Sequence, residues 1–510
     1  GGHKPRIADG AANTGAETLD STNYKLSGGA AVQSLQAITM AGADLSGVEF
    51  GFNFDTIVNT NDSGQGSLRQ FVLNANLLDN ANLDQVANSL FDPAAGVETS
   101  IFMISTAQLA NSGANQGAAV ITISSPISST ADNTAIDART QTANIGNTNA
   151  GQLGTGGKVG VDGLTLDKIE RPEVVVKASG GVALNFNGNN GVLRGIAGYG
   201  ASLASANYMV LNKTSVVDGN LIGALADGSA PDNSEQNDYI SLRINAASTI
   251  TNNLFAYSPY GILTTSSTAA EIRNNEFAHL GSAYGNNRQD GDGISIQSPT
   301  TVVGNLFHDM QGAYDASGGS YLEVLGLTTA SNNTFQGAQR SAVRLLTNSV
   351  NSIISKNIIT GSIAGSGVEA IANNASVANG TITQNSIYAN HTLGIDLGSN
   401  GVTLNDANDS DTGVNNLLNF PLFKEVLNVN GQLVIKGCAP AGATLELYEA
   451  DVSATSASGV TVGSNKLNKT QDYGEGERYL ISLVEGVGED TVTTPVDCAT
   501  LTDSDANSAV

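Results

Sequence analysis

The chain of 510 residues holds 59 Gly, 54 Asn, 2 Cys and no Trp, with 22 Lys plus Arg set against 47 Asp plus Glu. The resulting formal charge of −25 excludes a nucleic-acid or anionic-membrane surface, which requires clustered Lys and Arg, and suits a self-repelling surface that recruits cations. No run of 18 apolar residues is long enough for a membrane-spanning helix, and no basic and apolar leader opens the chain, so any signal peptide is expected to have been removed.

Residues 1–50 read as strand-like and rich in Gly and Ala, without a closed fold of their own. The stretch Asn61-Asp62-Ser63-Gly64-Gln65-Gly66 is then followed by Ser67-Leu68-Arg69-Gln70-Phe71-Val72-Leu73. A Gly-rich turn before Leu68, Phe71, Val72 and Leu73 predicts an amphipathic helix with Ser67 as its N-cap. Residues 1–110 are therefore expected to form an N-terminal strand-rich segment with a capping helix.

Further on, one short pattern recurs: Asn, any residue, then Phe or Ile. It opens at Asn220, Asn253, Asn275, Asn305, Asn333, Asn357 and Asn385, with steps of 33, 22, 30, 28, 24 and 28 residues and a mean of 27.5. Most copies lead to a second short strand that opens on Gly, as at Gly261-Ile262-Leu263 and Gly394-Ile395-Asp396. Strand-only repeats of this length, whose turns absorb insertions, predict an all-β parallel β-helix over 111–420. About eleven coils are expected, at ~4.8 Å each. The Phe or Ile should face a continuous core while the Asn side chains ladder from coil to coil.

From 421 to 510 the Asn pattern gives way to alternating strands such as Leu433-Val434-Ile435 and Thr444–Tyr448, read as a small β-sandwich-like domain. Both cysteines, Cys438 and Cys498, fall here, which predicts one disulfide and an extracytoplasmic setting.

Three segments carry a family resemblance: Ile57–Gln70, Ile121–Gln141, and Asn385–Pro421 with its Leu393-Gly394-Ile395-Asp396-Leu397-Gly398 core. They resemble secreted bacterial right-handed parallel β-helix proteins of the pectin-lyase-like kind, surface-layer proteins among them. Gln471–Gly476 resembles part of the immunoglobulin-like module that often follows. The resemblance implies a right-handed solenoid and a C-terminal immunoglobulin-like sandwich. It implies no single function, since such folds serve adhesins and coat proteins alike.

Asn405, Asp406, Asn408, Asp409, Asp411, Asn415 and Asn416 place seven oxygen-bearing side chains within twelve residues, a donor set suited to calcium. Of these, Asp406, Asn408, Asp409, Asp411 and Asn415 are the expected metal ligands. The alternative is an Asx-turn loop whose side chains cap their own backbone. Two smaller acidic groups are Asp232, Asn233, Glu235, Asn237 and Asp238, and Asp290 with Asp292. An enzymatic reading, as a polysaccharide lyase or hydrolase, would use His279, Asp290, Asp292 and His308, with Arg288 and Asp309 nearby. Against it stand the absent Trp and the 5% aromatic content, sparse for a sugar-stacking groove.

The expectation is a structural protein of the bacterial cell surface: a self-assembling, calcium-dependent surface-layer subunit. Its partners would be other copies of itself and, non-covalently, an envelope glycan or lipopolysaccharide. An adhesin or glycan-binding surface module is the alternative. No catalytic residue is assigned.

Overall fold

The computed structural model describes residues 55–450 and 475–484, plus the backbone of Leu19–Asp20 and Lys25–Leu26; within 55–450 it omits 79, 82, 86–90, 266–268, 285–290, 313–317, 372–378, 400, 404, 407, 408, 411 and 441. Three ten-stranded sheets form the body. The first runs from Ala119–Ile123 to Ser386–Tyr388, the second from Ile127–Ser129 to Ile395–Leu397, and the third from Glu98–Thr99 to Thr381–Thr383. Each turn of the chain visits the first, second and third sheets in order, and every ladder between successive coils is parallel. This is a parallel β-helix.

The repeat steps read from the sequence are the registers of the first sheet. Leu254 pairs with Leu221 33 residues earlier and with Glu276 22 residues later. Ten strands per sheet rather than about eleven are present because residues 138–172 leave the solenoid instead of forming a coil. At ~4.8 Å per strand the body is about 45 Å long.

Two kinds of stack hold the coils in register. Inside, Phe255, Phe277, Phe307 and Phe335 stack at ring-centroid separations of 5.1, 4.5 and 4.8 Å, all fully buried. At the turn between the third and first sheets, each repeat Asn is buried and donates Nδ2 to Oδ1 of the next. Asn253 to Asn275 is 2.9 Å, Asn275 to Asn305 3.1 Å and Asn305 to Asn333 2.9 Å. The same Oδ1 accepts the backbone N–H of the preceding Asn, and Nδ2 also reaches a strand carbonyl one coil back. The expected amide ladder is thus present from Asn220 to Asn385.

The first coil is capped as expected. The helix Leu68–Ala75 buries Leu68, Phe71, Val72 and Ala75, and the Ser67 side chain accepts the Gln70 N–H. Leu73 turns outward, 49% exposed, because it lies on the far face of the helix. The helix packs on Ile127–Ser129, the end strand of its sheet. A second helix, Arg139–Ile145, supports the neighbouring strand: Thr140 Oγ1 accepts Phe102 N–H and Gln141 Oε1 accepts Ile104 N–H, both at 2.9 Å.

Residues 152–170 form an arm that no repeat announced. Its two-stranded ribbons pair Gln152–Leu153 with Ile169–Glu170 and Gly157–Val159 with Leu164–Leu166. The arm lies along the outside of the first sheet: Val159 and Leu166 bury against Leu306, and Val161 N–H donates to Lys356 O. Gly160 is required at the crossing, since a Cβ there would lie 2.3 Å from Asn332 Cα.

At the other end, the segment expected as an immunoglobulin-like sandwich is seen as two hairpins, Leu422–Val429 with Gln432–Cys438 and Thr444–Ala450 with Gly476–Val484. The second hairpin closes the solenoid. Glu446 accepts the Gln384 N–H at 2.9 Å, Glu475 accepts the Asn390 N–H at 3.2 Å, and Gly476–Val484 packs on the last strand of the first sheet. Cys438 is buried at a strand end, and Cys498 lies outside the described residues.

Candidate functional site

The acidic loop spends its described side chains on its own backbone. Asp406 accepts the Ser410 N–H with both carboxylate oxygens, at 3.1 and 3.0 Å, and Asp409 Oδ1 accepts the Asn419 N–H at 2.8 Å. Asn405 bridges to Phe420 through both its carbonyl and its amide. Asn415 does the same for Gly380, closing the free edge of the last coil. Asn408 and Asp411 lie outside the described residues. Among the described residues no group of three or more His, Cys, Asp or Glu side chains is placed to share a metal ion. These bonds tie the loop to its own returning segment and to the last coil, across 4 to 35 residues, rather than forming local Asx turns.

The smaller clusters divide between structural tasks. Asn237 Oδ1 accepts the Ala201 N–H, Glu235 pairs with Lys177 at 2.5 Å, and Asp238 is buried. Asp292 is fully buried and accepts the Ser320 N–H from the next coil at 3.0 Å. Asp290 and Arg288 lie outside the described residues.

His279 and His308 do meet on adjacent coils, with ring centroids 6.3 Å apart. His279 occupies the left-handed corner after its strand, at φ 54°, and stacks flat on Tyr257 at 5.1 Å. His308 is held between two carboxylates, Glu276 Oε1 at 2.9 Å from Nε2 and Asp309 Oδ2 at 2.7 Å from Nδ1. Glu276 in turn accepts the Thr155 N–H of the arm with both oxygens, at 2.9 and 2.8 Å. Burial, the largest single influence, opposes charge on both groups, but the hydrogen bonds and opposite charges around them together outweigh it. His308 is raised above its ordinary range and Glu276, with the Thr155 amide added, is lowered. The group is an ion pair that fastens the arm. Its imidazole bridges Asp309 and the same Glu276 carboxylate that holds the arm.

A further cluster lies on the outer face of the second sheet. Glu323, Arg344, Glu369 and Asp396 occupy one row on successive coils. Arg344 lies 3.5 Å from Glu323 and 3.4 Å from Glu369, and Arg340 lies 3.5 Å from the same Glu369. Ser341 and Ser399 donate to Glu369 as well. Arg344, Glu369 and Asp396 are each less than 10% exposed. The sequence signal was an apolar–charged–apolar triplet repeated at Leu322-Glu323-Val324, Val343-Arg344-Leu345, Val368-Glu369-Ala370 and Ile395-Asp396-Leu397. Paired carboxylates bracketed by guanidinium groups can hydrogen-bond hydroxyl-rich or charged ligands.

No curated protein matches the chain. Residues 238–417 match the family model described as right handed beta helix region. The match and the three stacked parallel sheets agree that the body of this chain is a parallel β-helix, right-handed over the matched coils.

Proposed function

We propose that the protein is a rigid structural element of a bacterial cell surface, a self-assembling surface-layer subunit. The observation that carries this reading is the closure of both solenoid ends by the chain itself, at Leu68–Ala75 and at Glu446 and Glu475. A β-helix with open ends would polymerise end to end through its strand edges. A closed one is a stiff block that must associate through its sides. The ionisable groups singled out for chemistry, His308, Asp406 and Asp409, are bound to neighbours in ways that build the block.

In this reading calcium neutralises part of the −25 charge at contacts between copies, with the 405–416 loop as its first site, and an envelope glycan or lipopolysaccharide retains the layer. Cys438 and Cys498 pair to tie the C-terminal strands. Electron microscopy of purified protein with millimolar calcium is expected to reveal ordered sheets, lost with chelator; protein that remains dispersed in both conditions removes the reading. Chelator is also expected to lower the melting temperature, and identical melting with and without it removes the calcium loop.

The Glu323–Arg344–Glu369–Arg340 row favours a second reading, a glycan-binding surface module. Binding of an acidic or neutral polysaccharide that Arg344→Ala abolishes, in the absence of any lattice, would select it over the first.

A further inference from the structure

We propose that the outer face of the third sheet is where two copies of this chain meet; the inference rests on the self-assembly reading and names its surface. The other sides are already taken among the described residues. The arm covers much of the first sheet, the second carries the buried Arg and Glu row, and both ends are closed.

The third sheet differs in two ways. Many of its outward positions are short and half-exposed: Thr249, Thr301 and Thr329 share one row with Glu271, and Ile353, 40% exposed, continues it. Its charges also cancel: Arg139 pairs with Asp137, Arg194 with Asp218, and Arg273 with Glu271. On a chain of −25 this is a flat strip without net charge, where identical molecules approach without mutual repulsion.

The occupant that fits is a second copy. The strand Ala270–Arg273 is the sixth of ten counted from the first coil, so the Glu271–Arg273 pair sits near the middle of the strip. A two-fold axis there presents Glu271 of each copy to Arg273 of the other, an arrangement that is its own complement. Strands of two to four residues on ten coils offer about 600 Å² per copy, ~1,200 Å² in total, at the lower edge of stable interfaces. The contact is therefore concentration-dependent, as a repeating layer requires.

Sedimentation of the full chain over a concentration series tests this. The wild type is expected to associate, and Thr301→Glu with Thr329→Glu to weaken association at least tenfold. Arg273→Glu alone and Glu271→Arg alone should each remain monomeric, whereas their mixture should associate again. A Thr301→Cys chain should cross-link to itself through a bis-maleimide linker long enough to span two facing sheets. Assembly that ignores the charge variants, or Thr301→Cys chains that do not cross-link while assembled, overturns this face and leaves the surface-layer reading standing. A wild type that stays monomeric throughout, with and without calcium, overturns the surface-layer reading together with the face.

Discussion

A single amide recurring once per coil solves a problem that solenoids share. The turn between the third and first sheets leaves backbone groups turned inward, where water cannot reach them. Asn305 answers by accepting from Asn275 and donating to Asn333 and to Ile272 O. The residue before each ladder Asn is left-handed, with φ near 54° at Asn252, Asn274 and Gln384 and 68° at Gly219 and Gly304. Asn and Gly accept that conformation more readily than other residues, which accounts for part of the Asn and Gly excess in the composition. Asn305→Ala is expected to cost about 3 kcal/mol, because it strands several buried partners at once; chemical denaturation measures it, and a change below ~1 kcal/mol would show the ladder to be decorative. This column was legible because the residue itself recurs. The Glu323–Arg344–Glu369 row was not, since its partners differ in sign and only the position repeats.

Between elements, buried carboxylates decide how the pieces are fastened. Glu276 and His308 hold the arm, and their contributions have opposite pH limits. His308 is raised, so its share is complete below the ordinary value of 6.5 and is lost as pH climbs through the higher folded value. Glu276 is lowered from 4.5, so its share is present above that value and lost in stronger acid. Near this group Asp309 and the ring of His279 also face His308, while Tyr257 and Tyr284, both raised, stay neutral in this range. The arm is therefore expected to hold best between about pH 5 and 7, and proteolysis within 152–170 should quicken above that window. Glu276→Gln should flatten the profile and cost roughly 2 kcal/mol at pH 6. The N-terminal cap follows another course. Burial, reinforced by the neighbouring Asp55, pushes Glu98 up to about 8, so its protonated form stabilises the fold below pH 4.5 and that benefit fades as pH rises toward 8. Glu98→Gln should raise Tm at pH 8 by at least ~2 °C and change it little at pH 4; no difference between the two pH values would contradict the assignment. None of these fastenings was readable beforehand. They join residues far apart in sequence, and the arm that supplies Thr155 has no repeat to reveal it. The helix at Leu68 was readable, because cap, apolar face and Gly-rich turn are all local.

As a whole, the molecule is a stack of short parallel strands with strong order along one axis and a surplus of negative charge around it. The parallel solenoid was foreseeable because the 27.5-residue mean step is one circuit of three sheets. Of the expected C-terminal sandwich the described residues show two hairpins, one of which caps the last coil; alternating strands look alike whether they pack on one another or on a solenoid end. The charge carries its own prediction. Raising NaCl from 10 to 200 mM shortens the Debye length from ~30 Å to below 10 Å. Melting temperature should rise by a few degrees as self-repulsion is screened, and a fall would place more of the stability in surface ion pairs such as Lys356–Asp162.

The arm also sets an order of events. Thr155 meets Glu276 across 121 residues and Asp162 meets Lys356 across 194, whereas successive coils beyond the arm pair across only 20 to 33. Coils can wind one upon the next as the chain emerges, each closing a short loop. The arm is made early but finds its seat only when the coil carrying Lys356 is in place. Its docking is thus a late, long-range closure that marks the completion of the stack. Once seated, it ties coils that are otherwise joined only to their neighbours, so the middle of the rod cannot fray without first lifting the arm.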